Sequence, residues 1–535
     1  LPPLWRSCAP RNICIITGKS LVVTAGWLFK KKSHLMEKYN SIIVGGGISG
    51  LTLALLLAAN GRKVLLLEKA PMIGGGLCRF YKNGMPFDTG FHFTGGFKRN
   101  RTLHDMLTVL GIRESIHPIF LDKEKSSRFL FEKEGLCLDM PAGLEQCCAK
   151  LGSLFPAERP AVKKYFEMID RVIQMTPSFD LKKISISPEV IEEDYVTLQQ
   201  VLDSLTQNQM LKAALSVYCL CYGTRPSEVS FANHARVSFG FYDAVARVEG
   251  GGEAFIRAFR SAFKEYPIDV RCNTSIKECL DIQNSLVGRF LLSSGEEIIA
   301  DECIFTIHPG ELLKILPRQH FSKAFWDRVE SFESSNGFFS VFGAVGGARL
   351  GPAFEPSILS LLPQSDINLL LDHEYDGPQV LAIFQSRECI KDESFHVLNA
   401  FEPSFFQQVA PWQNSKVSQR PPGYKEYKQQ HAHNICERIR GALPEYKDSF
   451  RMHDAASMLT FRDYLFTPDG SAYGIRQKVG QFNLFGKLPL RNLYAAGQSA
   501  VLPGILGAMM SSFVVARSII DKNTYNDFVS KRLCH

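Results

Sequence analysis

The segment 41–50 constrains the fold of this chain more than any other. Its residues 42–44 have the apolar composition of a short buried strand, and a stretch rich in Leu and Ala at 51–60 predicts a helix. Between them lie Gly45, Gly47 and Gly50, in the pattern G-x-G-x-x-G. A second apolar strand is predicted at 64–67. Strand, glycine turn, helix and strand in this order predict a doubly wound α/β fold.

A dinucleotide-binding site accounts for each glycine of this turn. The first permits the tight turn, the second lets the backbone approach a pyrophosphate, and the third lets the helix pack close to the strand. The helix N-terminus at Ile48 and Ser49 offers N–H groups and a positive dipole to the phosphates. Glu68 lies 18 positions after Gly50, near the offset of about 20 at which a carboxylate accepts from a ribose hydroxyl, and Lys69 follows it. A glycine-rich turn without a ligand is the alternative.

A second glycine turn near the C-terminus predicts another contact with the same ligand. Residues 492–497 predict a strand that enters a turn at Gly497 and Gln498, and a helix follows from Ile505, Leu506 and Gly507 to residue 520. The run 492–516 has no charged residue and is long enough to span a bilayer. Pro503, Gly504 and Gly507 interrupt it, however, so a helix N-terminus facing the cofactor is the simpler explanation.

Composition excludes several classes of protein. A chain of 535 residues is too long for one ordinary core, so two or more domains are expected. The net charge of +7 is modest and spread out, which excludes a nucleic-acid-binding surface but permits contact with anionic lipid. The 14 cysteines show no C-x-x-C motif and no zinc-ligand spacing, which favours a reducing compartment and predicts no metal site. No Ser/His/Asp triad or carboxylate pair at hydrolase spacing is visible.

The ends and the middle of the chain differ in character. Residues 1–35 are predicted to be a disordered or artificially translated leader, with a signal anchor as the alternative. Residues 120–245 have helical periodicity at 158–176, 191–205 and 209–221, which predicts a helical insertion.

Strand-like runs place the remaining segments in two sheets. Runs at 270–276, 286–292 and 298–306 predict a return to the first domain, and runs at 338–343, 367–371 and 379–385 predict a second sheet. We therefore expect a discontinuous nucleotide-binding domain and an α+β substrate domain. The predicted bounds are 36–120, 245–320 and 456–525 for the first domain, 121–244 and 321–455 for the second, and 526–535 for a tail.

Seven motifs together resemble one group of flavoproteins. They are 45–50, 74–77, 87–92, 222–226, 249–252, 306–309 and 497–507. In these residues the chain is similar to the FAD-dependent amine-oxidase-like superfamily, over residues 40–525. Within it, the chain resembles the branch of carotenoid desaturases, carotenoid isomerases and retinol saturases (all-trans-retinol 13,14-reductase-like). The segments 87–92 and 222–226 resemble retinol saturases more than phytoene desaturases.

The resemblance implies a non-covalently bound FAD and assigns residues to it. Glu68 would bind the adenosine ribose, and the backbone of Ile276 would meet the adenine. The loop with Gly75 and Gly76 would lie along the pyrophosphate and ribityl chain. The second turn would sit by the ribityl chain and the flavin N1–C2=O edge, where a helix N-terminus stabilises the anionic reduced flavin. Its residues are Gly497, Gln498, Ile505, Leu506 and Gly507.

Two histidines are the predicted proton donors. The family's usual Asn-Ala-Asp-Pro segment is Thr-Ile-His-Pro at 306–309, so His308 either donates a proton near the substrate or packs at a strand end. His92 either donates a proton beside the flavin or forms hydrogen bonds within its loop. Asp88 is expected to be a turn or capping carboxylate.

By this resemblance the chain is an oxidoreductase that acts on carbon–carbon double bonds of an apolar polyene, of saturase or desaturase type. A redox-neutral carotenoid cis–trans isomerase that uses reduced FAD is one alternative, and a non-catalytic lipid-binding escort is another. No second nucleotide fingerprint is visible, so electrons would pass through another carrier or through NAD(P)H in the substrate cavity. The protein is expected in the cytoplasm, attached peripherally to a membrane surface, without a nucleic-acid partner.

Overall fold

The computed structural model describes residues 37–184, 190–346 and 358–534, so the predicted leader 1–35 lies outside the described residues. Two large sheets, of eight and seven strands, organise these residues, beside a hairpin and a three-stranded sheet. The strands are β1 (Lys38–Val44), β2 (Val64–Leu67), β3 (Arg79–Lys82), β4 (Met85–Asp88), β5 (Thr94–Gly95), β6 (Pro118–Phe120), β7 (Ser127–Phe131), β8 (Leu136–Met140), β9 (Val245–Val248), β10 (Ile268–Arg271), β11 (Ile276–Leu280), β12 (Arg289–Leu292), β13 (Glu297–Phe305), β14 (Gly337–Gly346), β15 (Ile358–Leu362), β16 (Leu381–Ile390), β17 (Glu393–Ser404), β18 (Arg451–Ala456), β19 (Gly486–Lys487) and β20 (Leu493–Ala495).

Sixteen α-helices alternate with these strands along the described part of the chain. They are α1 (Ile48–Ala59), α2 (Thr102–Leu110), α3 (Leu144–Leu154), α4 (Arg159–Gln174), α5 (Leu198–Leu205), α6 (Gln209–Ser216), α7 (Phe231–Asp243), α8 (Gly252–Phe263), α9 (Pro309–Leu312), α10 (Lys323–Glu330), α11 (Ile367–Leu370), α12 (Phe406–Val409), α13 (Pro422–Ala442), α14 (Met458–Leu465), α15 (Gly504–Ile519) and α16 (Lys522–Leu533).

The eight-stranded sheet is built on β1, the strand that precedes the first glycine turn. β1 pairs in parallel with β2 and with β13, so that Ile42 lies opposite Leu65 on one side and Cys303 on the other. The last four residues of β1 and all of β2 are buried, which explains their continuous apolar runs. Helices α1, α2, α8 and α15 pack on one face. The predicted α/β class with a Rossmann-like unit is confirmed.

The seven-stranded sheet has two faces with different partners. Its strand order is β18, β14, β17, β16, β15, β7 and β8. On one face, Phe339, Val341 and Val345 of β14 pack in a core with α13. The alternate residues Phe338 and Ser340 point to the other face, where they line a cavity.

The chain enters each large sheet more than once. The first sheet takes its strands from residues 38–67, 268–305 and 486–495, and the second from residues 127–140 and 337–456. Such interleaving is compatible with the predicted discontinuous domains, whose bounds stay a prediction. The interpretation of 120–245 as a helical insertion is wrong in one respect, because β7 and β8 form a hairpin of the second sheet. Each of these strands has only five residues, so the helical periodicity of the longer segment that follows dominates the sequence pattern.

Two predicted strands differ in the structure. Residues 270–276 are not one strand, because Asn273, with a φ of +53°, turns the chain between β10 and β11. Residues 367–371 form the short helix α11 instead of a strand. The Asp366 carboxylate accepts a hydrogen bond from the Leu369 N–H at 3.2 Å and so caps this helix.

Two helical segments also have other bounds than predicted. In the segment 191–205 the α-helix begins only at Leu198, because the Thr197 hydroxyl caps it by accepting from the Gln200 N–H at 3.1 Å. The predicted tail 526–535 begins inside α16, in which Tyr525 and Val529 are fully buried. Residues 526–533 are therefore part of the fold.

None of the helices in the described ranges is both long enough and apolar enough to cross a membrane. The uncharged run 492–516 is divided between β20, a loop and α15.

Candidate functional site

A cavity of about 700 Å³ lies at the carboxyl ends of β1, β2, β13 and β20 and extends to the inner face of the second sheet. Its volume is within the range of sites for cofactors and small ligands. Every predicted site residue lines this cavity except Gly50. Residues from distant parts of the sequence therefore meet around one space, as a dinucleotide that spans both glycine turns requires.

The three glycines of the first turn differ in what surrounds them. A Cβ on Gly50 would lie 1.9 Å from the Gly45 carbonyl oxygen, so Gly50 serves the close packing of α1 against β1. A Cβ on Gly47 would meet no protein atom within 4 Å, because it would point into the open cavity. Gly47, with an ordinary φ of −74°, thus leaves free the space that a pyrophosphate needs.

Two helix N-termini meet at this cavity. Gly47 precedes the first turn of α1, and Pro503 precedes the first turn of α15. The Gly497 N–H donates to the Ser511 hydroxyl at 2.8 Å, which fixes the second glycine turn to α15. The unpaired N–H groups and dipoles of two helices favour the negative charge of a dinucleotide.

Glu68 is held by the backbone at the end of β2. Its Oε2 accepts from the Gly46 N–H at 2.6 Å and its Oε1 from the Ala70 N–H at 2.7 Å. Burial raises the pKa of Glu68, and the backbone N–H groups partly oppose this shift. A carboxylate has about four acceptor sites, so each oxygen can still accept from a ribose hydroxyl.

The remaining predicted cofactor contacts continue along the same wall. A Cβ on Gly75 would lie 3.3 Å from the Gly47 Cα, and one on Gly76 would meet open space. Ile276 is buried at the start of β11 and lines the cavity. Lys69 and Gln498 also line the cavity. These glycines leave an extended cradle between the two helix N-termini, and this cradle fits FAD.

His92 lies in the aromatic half of the cavity. Its ring stacks on Phe384 with centroids 5.6 Å apart and tilts against Phe401 at 4.6 Å. Nδ2 of the Asn399 amide lies 3.5 Å from Nδ1 of His92, at the outer limit of a hydrogen bond. Burial lowers the pKa of His92 to about 4, so the side chain is neutral at pH 7. Its hydrogen-bond partner is on β17 and not within its own loop.

His308 caps the short helix α9. Its Nδ1 accepts from the Gly310 N–H at 3.1 Å, which places the ring hydrogen on Nε2. Nε2 is buried and has no hydrogen-bond partner among the described residues. Burial lowers the pKa of His308. This contact supports the strand-end role, while a role of His308 as proton donor stays a prediction.

Asp88 is neither a turn nor a capping carboxylate. It accepts from Nε and Nη2 of Arg79 at 2.7 and 3.2 Å, across the β3–β4 hairpin. Arg79 also pairs with Glu388 of β16 at 2.9 Å. The buried ion triad ties the segment before His92 to the second sheet and so fixes the place where His92 enters the cavity.

The wall opposite the glycine turns is one face of the second sheet. The sequence predicted a substrate domain in this part of the chain but indicated none of the residues in the wall. The strand register aligns a row of lining side chains across five strands, namely Ser340, Phe401, Ala382, Ser360 and Phe129. At about 4.8 Å per strand spacing, this row is about 19 Å long. We call the row and its aromatic neighbours the aromatic wall; these neighbours are Phe93, Tyr218, Phe241, Phe338, Phe384 and Tyr473. The two-residue alternation of β14 was the available signal.

Comparison with known proteins agrees with this geometry. Residues 48–342, more than half of the chain, match the family described as flavin containing amine oxidoreductase. The chain belongs to this family. It is therefore an oxidoreductase with FAD as its cofactor. The residues of the cradle between the two glycine turns are those that would hold this cofactor.

The individual relatives have low sequence identity to this chain, although the alignments cover most of it. The chain is 23% identical to the all-trans-retinol 13,14-reductase of Danio rerio, with 95% of this chain and 90% of that protein covered. It is 21% identical to the chloroplastic prolycopene isomerase of Daucus carota, with 90% of this chain and 80% of that protein covered. A crystal structure of an oxidoreductase from Methanosarcina mazei has a TM-score of 0.61 at 13% identity, covering 89% of this chain and 99% of that one, which shows the shared fold.

Proposed function

We propose that this flavoprotein hydrogenates a carbon–carbon double bond of an apolar polyene, with desaturation as the reverse direction of the same chemistry. The observation that carries the proposal is the aromatic wall, a largely apolar face about 19 Å long, with Ser340 and Ser360 in its row, that opens onto the cofactor cradle. A polyene is a long, narrow apolar chain, and burying its whole length on such a face is favourable. The names of the retinol reductase and prolycopene isomerase relatives support a substrate of this class.

When bound, FAD supplies the exchange of a hydride with the substrate. The residues of this chain supply position and a dry environment. Gly47 and the N-termini of α1 and α15 hold the cofactor at one side of the cavity. Phe384 and Phe401 of the opposite wall hold the polyene and exclude water, which strengthens the electrostatic interactions within the site.

Hydrogenation also consumes one proton, and His92 is the proposed donor. Its ring packs against Phe384 and Phe401, with centroid distances of 5.6 and 4.6 Å, and the neutral imidazole carries one N–H hydrogen. A neutral imidazole that donates its N–H proton becomes an imidazolate. The carbanion-like polyene formed by hydride addition is a stronger base than imidazolate, so proton transfer from the ring is favourable. His308 is the second candidate, since its Nε2 lacks a partner among the described residues.

An anaerobic single turnover tests the proposal. Protein reduced with dithionite is mixed with retinoids and carotenoids, and the mass of the product is measured by mass spectrometry. Hydrogenation predicts that the yellow absorbance returns and that the product gains two mass units. Loss of two mass units with the oxidised protein alone would show a desaturase. A colourless protein that cannot be reconstituted with FAD would favour the alternative of a non-catalytic lipid-binding escort.

The second candidate function is a redox-neutral cis–trans isomerase. The relative named prolycopene isomerase, which aligns with 90% of this chain, favours it. In the same single turnover an isomerase leaves the absorbance bleached and the product mass unchanged.

Peripheral attachment to a membrane is part of the proposal. Polyenes reside in the bilayer, and none of the described helices could span one. Carbonate should release the protein from membranes, whereas retention until detergent is added would contradict peripheral binding. The electron donor is proposed to be NAD(P)H bound in the substrate cavity or another carrier. Rapid reduction of the flavin by NADPH in a stopped-flow experiment would favour NAD(P)H, and the absence of reduction would favour another carrier.

A further inference from the structure

Phe466 ends α14 in a conformation that large side chains rarely adopt. Its φ of +57° and ψ of +29° lie in the left-handed region. In the ranges that the structure describes, the other non-glycine residues with positive φ are Asn, Asp, Ser or Lys. An aromatic residue is disfavoured there because its Cβ crowds the backbone carbonyl. Such strain persists only where surrounding contacts hold it, and it concentrates at binding sites.

The strained residue lies at the nucleotide end of the cavity. The Lys69 ammonium is 5.1 Å from the centroid of the Phe466 ring, and Lys69 directly follows Glu68, the proposed ribose ligand. Two residues further on, Pro468 lies beside α9, since a Cβ on Gly310 would be 3.8 Å from its Cγ. Phe466 thus sits where the chain crosses the crevice between the ends of β2 and β13, the place where open α/β sheets bind ligands.

We propose that Phe466 is a cofactor-retaining residue, whose ring covers the adenosine half of bound FAD together with Lys69. Both residues line the cavity, and Lys69 is exposed while Glu68 lies deeper with both carboxylate oxygens hydrogen-bonded. The ammonium and the ring attract each other, which holds the cover closed. FAD leaves when this contact opens, so Phe466 limits the rate of dissociation. This role is independent of the substrate.

FAD release and the melting temperature of the apoprotein separate this role from a purely structural one. Phe466→Asn removes the ring and suits the left-handed backbone, Phe466→Tyr keeps the ring, and Lys69→Met keeps the stem but removes the charge. Free FAD is followed by its fluorescence after dilution of each holoprotein. Phe466→Asn should release FAD roughly tenfold faster, Lys69→Met a few-fold faster, and Phe466→Tyr at the rate of the unmodified protein.

The apoprotein of Phe466→Asn should melt at the same or a higher temperature, because the substitution relieves backbone strain. Faster FAD release without loss of apoprotein stability supports the cover. An unchanged release rate in Phe466→Asn would overturn it. A lower melting temperature of the apoprotein would also overturn it, since the ring would then be part of the core. No polyene is used, so failure of the proposed substrate class leaves this test intact.

Discussion

The side-chain hydroxyls of Ser49 in α1 and Ser512 in α15 lie 2.7 Å apart, although 463 positions separate them in the sequence. This buried contact holds two helices side by side whose N-termini both face the cavity. Each N-terminus carries about half a positive charge, so the pair would act on a bound dinucleotide from two sides. Residues from near the two ends of the chain therefore form one side of the cavity.

Gly47→Val should abolish FAD binding without unfolding the protein. Its side chain would enter the open cavity and occupy pyrophosphate space, since no protein atom lies within 4 Å of its Cβ. Gly441→Val in α13 is the matched control, because its Cβ also meets nothing within 4 Å but lies away from the cavity. Flavin absorbance of the purified proteins measures binding, and full flavin content in Gly47→Val would contradict the assignment.

Gly50→Ala should damage the fold and not only the binding of FAD. Its Cβ would lie 1.9 Å from the Gly45 carbonyl oxygen, so α1 must move away from β1. Overpacking of this kind costs about 1–3 kcal/mol. Thermal unfolding of the apoprotein measures the loss, which we expect to be larger than for Gly47→Val; equal melting temperatures for both variants would argue against a packing role.

His92→Ala and His308→Ala should differ in what they impair. His92 contacts Phe384 and Phe401 in the aromatic wall, so its loss should slow single-turnover chemistry while flavin content stays full. His308 caps α9 through the Gly310 N–H, so His308→Ala should cost about 1 kcal/mol of stability. His308→Asn keeps a capping acceptor and is its control. If His308→Ala slows the chemistry more than His92→Ala does, His308 and not His92 is the proton donor.

The free energy of unfolding should decrease as the pH is lowered, because His234 is buried in its neutral form. This side chain is fully buried, with Nε2 2.7 Å from the Tyr165 hydroxyl and Nδ1 2.8 Å from the Tyr222 hydroxyl. Burial lowers the pKa of His234 from 6.5 to about 3. Below pH 6.5 the unfolded chain binds a proton that the folded protein does not, so stability is lost between pH 6.5 and 3, by on the order of 4 kcal/mol at the lower limit.

Urea unfolding at a series of pH values measures this dependence. His234→Gln keeps hydrogen-bonding groups but does not titrate, so its stability should vary less with pH. The exposed His433→Gln is the control and should keep the slope of the unmodified protein. An unchanged slope in His234→Gln would mean that other groups dominate the acid dependence.

Ala382→Leu should narrow the aromatic wall in the middle of its row. Ala382 lies between Phe401 and Ser360 in the strand register and lines the cavity. The larger side chain would occupy the space of a polyene, so turnover of long substrates should fall at least tenfold while flavin content stays full. Product yield in the single-turnover assay measures this; an unchanged yield would place the substrate elsewhere.

Much of the cofactor site was predictable because its elements are local. The order strand, glycine turn, helix and acid lies within residues 42–68, and each part is specified by its neighbours in the sequence. The aromatic wall was not predictable in the same way. Phe129, Ser360 and Phe401 come from separate parts of the chain, and only the pairing of β7, β15, β16 and β17 aligns them.

The sequence alone determined the α/β fold, the two glycine turns and the place of Glu68, because short-range patterns of glycine and apolar residues encode them. The tertiary structure decided the roles of the single side chains. Asp88 became the partner of Arg79 and Glu388, and His308 became a helix cap, because those partners are set by long-range packing. A side chain's function depends on which groups surround it, and strand register, which local sequence does not specify, brings those groups together.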